Sequence, residues 1–202
     1  MSTPKSKPST VQTRQAILAV AHALGDLKYA VVGGGACAML GSMRETEDVD
    51  FVVPMNGTKN ARDRLKRNPI YFEVEKKTLH TSFKSDPKVE IEILTPPVLF
   101  KEEFTESTPT IIIKGVKILK PALILNAKCR SMLGRHTDAK KQTDADDILF
   151  LLEWCYQNQM LPTGTEVPNA TKDFVLYFMS IHGNRKLWED AGYDFHKGTF
   201  PH

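Results

Sequence analysis

The sequence predicts an α/β (α+β) protein in which a mixed sheet is flanked by helices and followed by a helical C-terminal region. Three observations support this prediction: short apolar runs of β-strand character recur up to Leu119, helical patterns alternate with the first of them, and only helical patterns follow Pro121. The 202 residues, 41% of them apolar, are enough for a substantial core. We expect a flexible tail at 1–8, an α/β core at 9–119 and a helical region at 120–202 that packs on the core.

The first part of the chain alternates helical and strand patterns. Ser9 and Gln12 can form a capping box, and apolar residues then recur at helical spacing until Gly25, which predicts the first helix. The elements predicted after it are a strand at 29–32, a glycine turn, a short helix at 36–40, a strand at 46–53 and an exposed helix at 58–67.

The middle of the chain is predicted to be sheet and the remainder helical. Alternating and β-branched runs predict strands at 71–74, 79–83, 89–94, 110–113 and 116–119, the last two joined as a hairpin. The predicted C-terminal helices lie at 121–134, from about Thr143 onward, and once or twice within 171–190.

Charge and cysteine content narrow the expected partners. Twenty-seven basic and 24 acidic residues give a net charge of +3, which on charge alone predicts no strong general nucleic-acid surface and no anionic membrane partner. No run approaches the roughly 18 apolar residues of a membrane span, and the N-terminus has no hydrophobic signal core. The three cysteines form no C-x-x-C pair. We therefore expect reduced, buried cysteines and a cytoplasmic location.

A candidate metal site lies on the strand predicted at 46–53. Asp48 and Asp50 are two residues apart, so on a strand their side chains project from the same face, about 7 Å apart along the backbone. Carboxylate oxygens are the ligands that Mg²⁺ prefers. A two-metal arrangement would need a third carboxylate from a neighbouring strand. Glu90 and Glu92 both qualify, because they share one face of the strand at 89–94.

A candidate phosphate site precedes the short helix at 36–40. Gly33 and Gly34 have no side chains, so the backbone there can approach a triphosphate closely. The following helix would direct its free N–H groups and the positive end of its dipole at the anion. The sequence therefore predicts phosphate on one side of a site and metal on the other.

The combined pattern resembles the signature of the polymerase-β-like nucleotidyltransferase superfamily. It is read here as VVGG, thirteen residues, and then DVDF. Residues 41–48 (GSMRETED) are similar to the Arg-x-Thr-x-Asp-x-Asp version found in minimal and AbiEii-toxin-like members. The C-terminal helices of those proteins carry a Lys, an Arg and a Lys-x-x-Asp-x-x-Asp segment, which Lys128, Arg135 and residues 141–147 match.

The resemblance implies roles for individual residues. Asp48 and Asp50 would bind metal, and Glu92 or Glu90 would be the third carboxylate and a possible base. Relatives commonly have Asp at this third position and often have Ala where this chain has Gly35. The residues that would approach phosphate are Ser42, Arg44 and Lys128.

The same resemblance implies an activity. The expected reaction is metal-dependent transfer of an NMP from an NTP, ATP among the candidates, to an acceptor hydroxyl with release of pyrophosphate. The expected ion is Mg²⁺, with Mn²⁺ as the alternative. A protein side chain, a tRNA end and a small hydroxylated molecule are all possible acceptors. A catalytically weak nucleotide-binding or partner-binding module on the same fold remains the alternative.

A dinucleotide-binding (Rossmann-like) domain competes for the glycines, because residues 33–38 also satisfy G-x-G-x-x-A. Such a unit needs a full crossover helix and an acid near the end of the second strand. Here the helix has room for about two turns, and the acids precede the apolar run. The position of the acids therefore disfavours that class. The absence of G-x-x-x-x-G-K-[ST] excludes a P-loop.

Structural roles are also consistent with several of these residues. Arg44 can form an ion pair with an Asp four residues later, and Lys128 can extend along an apolar helix to solvent. Asp144, Asp146 and Asp147 are placed in the first turn of their predicted helix, where acids favour the helix dipole.

Overall fold

The computed structural model describes residues 7–202. The chain divides into two compact units, of which the first ends at Leu119 and the second is Lys120–His202. Residues 1–6 of the predicted tail lie outside the described residues. Of the other two, Lys7 forms an ion pair with Glu47 at 2.7 Å, and Pro8 is buried.

The first unit contains three helices and seven strands among the described residues. The helix α1 begins at Ser9, whose hydroxyl and the Gln12 side chain form the predicted capping box. The bounds are α1 Thr10–Leu24, β1 Ala30–Val31, α2 Gly33–Leu40, β2 Asp48–Val52, α3 Thr58–Lys66, β3 Phe72–Val74, β4 Thr81–Phe83, β5 Val89–Leu94, β6 Thr110–Ile113 and β7 Val116–Leu119.

All seven strands form one mixed sheet with the order β3-β4-β5-β2-β1-β7-β6. The β2 strand lies in the middle and pairs parallel with β5, and β1 pairs parallel with β7. The remaining neighbours are antiparallel. The predicted mixed α/β class is thus confirmed, and the central position of β2 puts its side chains where neighbouring strands can contribute.

The pairing of β1 with β2 decides between the two fold classes that the glycines allow. These strands flank the helix α2 in sequence and run antiparallel, with Ala30 opposite Val52 and Val31 opposite Phe51. A dinucleotide-binding βαβ unit requires parallel strands joined by a crossover helix. The Rossmann-like alternative is therefore wrong for this chain.

The α2 helix begins earlier than predicted. Its first residue is Gly33, so the glycines occupy the first helical turn instead of a turn before it. Val32 precedes it in extended conformation, and its carbonyl accepts the Ala36 N–H at 3.2 Å. The low helix propensity of glycine concealed this start in the sequence. Gly41 ends the helix as predicted, with a left-handed φ of 115°.

The second unit is helical, with α4 Pro121–Gly134, α5 Asp138–Gln157, α6 Lys172–His182 and α7 Arg185–Asp190. The predicted start of α5 near Thr143 is wrong. Thr137 caps this helix, because its hydroxyl accepts the Lys140 N–H at 3.4 Å. Asp144, Asp146 and Asp147 therefore lie beyond the first turn, and the helix-dipole explanation for them does not apply.

The three cysteines are buried and form no disulfide among the described residues, as predicted. Burial raises the pKa of the Cys155 thiol to about 12 and raises that of Cys129 further, which keeps both thiols protonated. Among residues 7–202, none of the helices combines the length and the apolar character needed to cross a membrane.

Candidate active site

The strand β2 presents its two aspartates on one face of the sheet. Val49 and Phe51 are completely buried on the opposite face, whereas Asp48 and Asp50 are half-buried. This is the alternation expected of a strand with one face in the core. The predicted common orientation of Asp48 and Asp50 is therefore confirmed.

The neighbouring strand β5 completes a cluster of three carboxylates. Parallel pairing sets Glu90 opposite Asp48 and Glu92 opposite Asp50. One carboxylate oxygen from each of Asp48, Asp50 and Glu92 lies within 4.8 Å of the other two. Three converging carboxylates form an all-oxygen donor set that suits a hard divalent cation such as Mg²⁺ or Mn²⁺. The residues therefore fit the metal that the resemblance implies.

Glu90, the other candidate for the third carboxylate, is engaged elsewhere. Its Oε2 forms an ion pair with His80 Nε2, and this oxygen is shielded from solvent. His80 is exposed, and its pairing with Glu90 was not predicted. The sequence did contain a signal for this contact, since His80 lies in the strand predicted at 79–83. Antiparallel pairing of that strand with 89–94 brings His80 to the face that carries both glutamates.

Gly33 lies directly against the side-chain carboxylate of Asp50. A Cβ at Gly33 would come within 2.7 Å of Asp50 Oδ2, and the φ of Gly33 is +62°. The backbone places the two residues together, because the Val32 N–H donates to the Asp50 carbonyl at 3.0 Å. Glycine is therefore required here by space and by backbone conformation.

Gly34 makes room for a second charged side chain. A Cβ at this position would lie 2.6 Å from Arg44 Nη2 and 2.8 Å from Thr46 Oγ1. Arg44 also donates from Nη1 to the Glu45 carbonyl at 2.8 Å. The guanidinium thus lies over the first turn of α2, so Arg44, predicted to approach phosphate, is beside the glycines.

The loop between α2 and β2 is held to the core by Ser42 and Thr46, both buried. The Ser42 N–H donates to the Cys37 carbonyl at 2.9 Å, and the Ser42 hydroxyl accepts the Arg44 N–H at 3.3 Å. Thr46 donates through its hydroxyl to Asp48 Oδ1 at 3.2 Å, and its carbonyl accepts the Thr13 hydroxyl at 3.0 Å. Thr46 therefore orients a carboxylate of the cluster, which the sequence did not reveal.

The first turn of α2 faces this arrangement with its backbone. The first N–H groups of a helix have no partner within the helix, and the helix dipole places positive potential at that end. In α2 these amides belong to Gly33, Gly34 and Gly35, whose lack of side chains lets Arg44 and Asp50 lie close to the turn. Positive backbone potential and the guanidinium of Arg44 thus adjoin three carboxylates, a combination suited to a phosphate bound together with a cation.

Comparison with solved structures identifies the fold. An antigenic nucleotidyltransferase-like protein from Paracoccidioides brasiliensis superimposes with a TM-score of 0.68 at 22% identity, covering 98% of this chain and 97% of that one. The chain has a nucleotidyltransferase-like fold. The JHP933 protein of Helicobacter pylori superimposes with a TM-score of 0.54 at 19% identity, covering 92% of this chain and 89% of that one. No family model and no curated protein matches the sequence.

Within the second unit, four residues of the C-terminal motif form one ion cluster, namely Lys128, Arg135, Asp144 and Asp147. The fifth, Lys141, lies near Asp138 instead. Lys128 Nζ lies 2.9 Å from Asp144 Oδ1 and 2.8 Å from Asp147 Oδ2. Asp144 also accepts bonds from Arg135 Nε at 2.7 Å and from the Ser131 hydroxyl at 2.8 Å. The lysine is therefore held between carboxylates and does not extend to solvent, whereas its role toward phosphate stays a prediction.

The ionisation of this cluster follows from its contacts. Burial raises the pKa of Asp144, but the hydrogen bond from Arg135 and the charge of Lys128 outweigh it and hold that pKa below its ordinary value. Burial likewise lowers the pKa of Lys128, and the charges of Asp147 and Asp144 more than compensate and raise it. Asp144 and Lys128 are thus both charged at neutral pH.

Proposed function

We propose that this protein is a metal-dependent nucleotidyltransferase that moves an NMP from an NTP to an acceptor hydroxyl and releases pyrophosphate. The observation that carries the proposal is the convergence of Asp48, Asp50 and Glu92 within 4.8 Å beside the glycine-lined start of α2. The nucleotidyltransferase-like fold supports it. The finer assignment to the minimal or AbiEii-toxin-like group rests only on the sequence, namely the motif at 41–48 and the match of Lys128, Arg135 and residues 141–147.

On the metal side, Asp48 and Asp50 are the proposed ligands, and Glu92 is the proposed third carboxylate. When bound, Mg²⁺ or Mn²⁺ would polarise phosphoryl oxygens and offset the charge that develops on the leaving group. Thr46 would keep Asp48 oriented through its hydroxyl bond to Oδ1. Residues that orient a ligand in this way tune metal affinity although they do not touch the ion.

On the phosphate side, the backbone amides of Gly33 and Gly34 are proposed to bind the triphosphate. Arg44, whose guanidinium lies over Gly34, would add positive charge at the same place. Ser42 is proposed to assist through its hydroxyl, which the fold keeps beside Arg44. Lys128 is retained as a phosphate ligand only on the resemblance.

The reaction that these groups can promote is an in-line displacement. The acceptor oxygen would form a bond to the α-phosphorus while the bond from that phosphorus to the bridging oxygen of the pyrophosphate breaks, and pyrophosphate leaves with the electron pair. The acceptor proton would pass to a carboxylate, for which Glu92 is the candidate because it is the most exposed member of the cluster. Positioning and charge account for most of the expected rate enhancement.

The acceptor is proposed only as a class, namely a hydroxyl on a protein, on a tRNA end or on a small molecule. Each would use the same carboxylates and the same triphosphate site. The test therefore starts from labelled nucleotide and does not presuppose an acceptor. The full-length protein is incubated with each α-³²P-labelled NTP, Mg²⁺ or Mn²⁺, and a cell extract, and label is followed into protein, RNA and small molecules.

Two variants make the test specific. Asp50→Asn keeps the size of the side chain and removes its charge, and we expect it to lower transfer by at least about 100-fold. Glu90→Gln is the matched control, because Glu90 lies on the same face of the sheet but outside the carboxylate cluster. It should retain most of the activity.

Two outcomes would contradict the proposal. Unchanged transfer in Asp50→Asn would show that the cluster is not the site of chemistry. Nucleotide binding by the wild-type protein without transfer to any fraction, with either ion, would favour the alternative of a binding module on the same fold.

A further inference from the structure

The choice between Glu90 and Glu92 is not made by the backbone. Both glutamates project from the same face of β5, and each stands directly opposite an aspartate of β2. Neighbouring strands are about 4.8 Å apart, so either carboxylate could reach across to its aspartate. Some feature outside β2 and β5 must therefore keep Glu90 out of the cluster that Glu92 joins.

That feature is His80, on the far side of β5. The β4 strand pairs antiparallel with β5, with Thr81 opposite Ile91 and Ser82 opposite Glu90. His80 immediately precedes β4, and the same register continued by one residue would set it beside Glu92. From there its ring reaches diagonally to Glu90, and Nε2 pairs with Oε2. Diagonal neighbours on a sheet face are within reach of a side chain as long as histidine. Glu90 is thus drawn toward β4 and away from Asp48.

The backbone of His80 is itself fixed by the turn between β3 and β4. Its N–H donates to the Thr78 hydroxyl at 3.2 Å, and its carbonyl accepts the Glu75 N–H at 2.9 Å. Leu79, immediately before it, has a φ of 60°, which an L-residue adopts only where the surroundings hold it. The imidazole is therefore presented from a defined turn and not from a freely moving segment.

We propose that His80 is a positioning residue that assigns the third-carboxylate role to Glu92 by holding Glu90 outside the metal cluster. This inference rests on the proposed metal-dependent function. Its physical basis is electrostatic: a fourth carboxylate at the cluster would repel the other three, whereas the ion-pair contact with His80 gives Glu90 a partner elsewhere. It follows that Glu90 is a reserve ligand that becomes available once His80 no longer holds it.

The test measures Mn²⁺ binding to the full-length protein without nucleotide, by electron paramagnetic resonance of the free ion. Glu92→Gln is expected to weaken binding by about tenfold or more. Adding His80→Ala releases Glu90, and we expect binding at least about threefold tighter than in Glu92→Gln alone. Adding His80→Gln instead keeps an N–H donor near Glu90, so no recovery is expected. Thermal unfolding checks that each variant is folded.

A triple variant identifies the source of any recovery. With Glu92→Gln and His80→Ala present, the further change Glu90→Gln should abolish the gain, because no reserve carboxylate remains. Recovery that persists without Glu90, or no recovery in folded His80→Ala protein, would overturn the role of His80 and leave the proposed function intact. Absence of Mn²⁺ binding in the wild-type protein would instead overturn the metal site and this inference with it.

Discussion

Replacement of Gly33 by alanine separates the cost of backbone strain from the cost of displacing a proposed metal ligand. The residue has a φ of +62°, in the left-handed region, where a side chain costs about 1–2 kcal/mol. The added Cβ would also lie 2.7 Å from Asp50 Oδ2, closer than van der Waals contact allows. Gly33 is the first residue of α2 and follows β1 closely, so its backbone is held at both sides. We therefore expect the Asp50 side chain to move away from the added methyl group.

The two costs have different signatures. The strain lowers the free energy of unfolding by about 1–2 kcal/mol, which corresponds to a fall in Tm of about 2–8 °C for a chain of this size. Displacement of Asp50 weakens Mn²⁺ binding, and we expect a loss of about tenfold or more. Calorimetric melting measures the first effect, and titration of Mn²⁺ into the folded variant measures the second.

Gly35→Ala is the matched control on the same helical turn. The nearest neighbours of its Cβ would be Ile17 Cδ1 at 3.4 Å and Val31 Cγ1 at 3.6 Å, both ordinary contacts, and its φ is not positive. Alanine should therefore stabilise α2 by up to about 1 kcal/mol and leave Mn²⁺ binding unchanged. If Gly33→Ala also bound Mn²⁺ like the wild-type protein, the close approach to Asp50 would not be the reason for glycine at this position.

Three further predictions concern the loop and the buried ion cluster. Lys128→Met removes the ammonium that two buried carboxylates share and should lower the free energy of unfolding by about 3–5 kcal/mol in urea titration, whereas Lys140→Met serves as an exposed control. Since the pKa of Asp144 is lowered by folding from its ordinary value of 3.8, its stabilisation is present above that value and lost as pH falls through the lower folded pKa, so unfolding midpoints should drop as the pH falls below 3.8. Thr46→Val removes the hydroxyl bonded to Asp48 Oδ1 and should weaken Mn²⁺ binding several-fold by the same titration, up to about tenfold; unchanged binding would deny Thr46 an orienting role.

The strands of the sheet were predictable because their side chains alternate between two environments. The strand predicted at 46–53 contains the observed β2, and those predicted at 89–94, 110–113 and 116–119 coincide with β5, β6 and β7. A strand with one buried face has apolar and polar residues that alternate with a period of two, and this alternation is visible in the sequence. The common face of Asp48 and Asp50 could be predicted for the same reason.

The starts of two helices could not be predicted in this way. Residues 135–142 (RHTDAKKQ) contain a single small apolar residue, so no helical periodicity marks the first turn of α5, and only the cap at Thr137 signals it. At α2 the first turn consists of three glycines, which have low intrinsic helix propensity. Tertiary contacts that a sequence pattern does not contain make these segments helical.

The partners of individual charged side chains depend on packing between segments distant in sequence. Lys128 meets Asp144 and Asp147, which are 16 and 19 residues further along the chain, only because α4 and α5 pack together. His80 meets Glu90 only through the register of β4 and β5. In the sequence, Glu90 and Glu92 were equal candidates for the third carboxylate. Only their contacts in the folded structure distinguish them.

The glycines and the aspartates constrain one another directly, beyond the separate roles toward phosphate and metal that we propose for them. The antiparallel pairing of β1 with β2 sets Val32 against Asp50, so the residue that opens α2 must share its space with a carboxylate. Gly34 in turn accommodates Arg44, which returns from the loop that leads to β2. Packing within the folded protein therefore requires glycine at 33 and 34, independently of any bound ligand. The glycines and Asp48 are separated by the helix α2 and the loop that leads to β2. Insertions in this segment should be tolerated only where Arg44 and Thr46 keep their contacts.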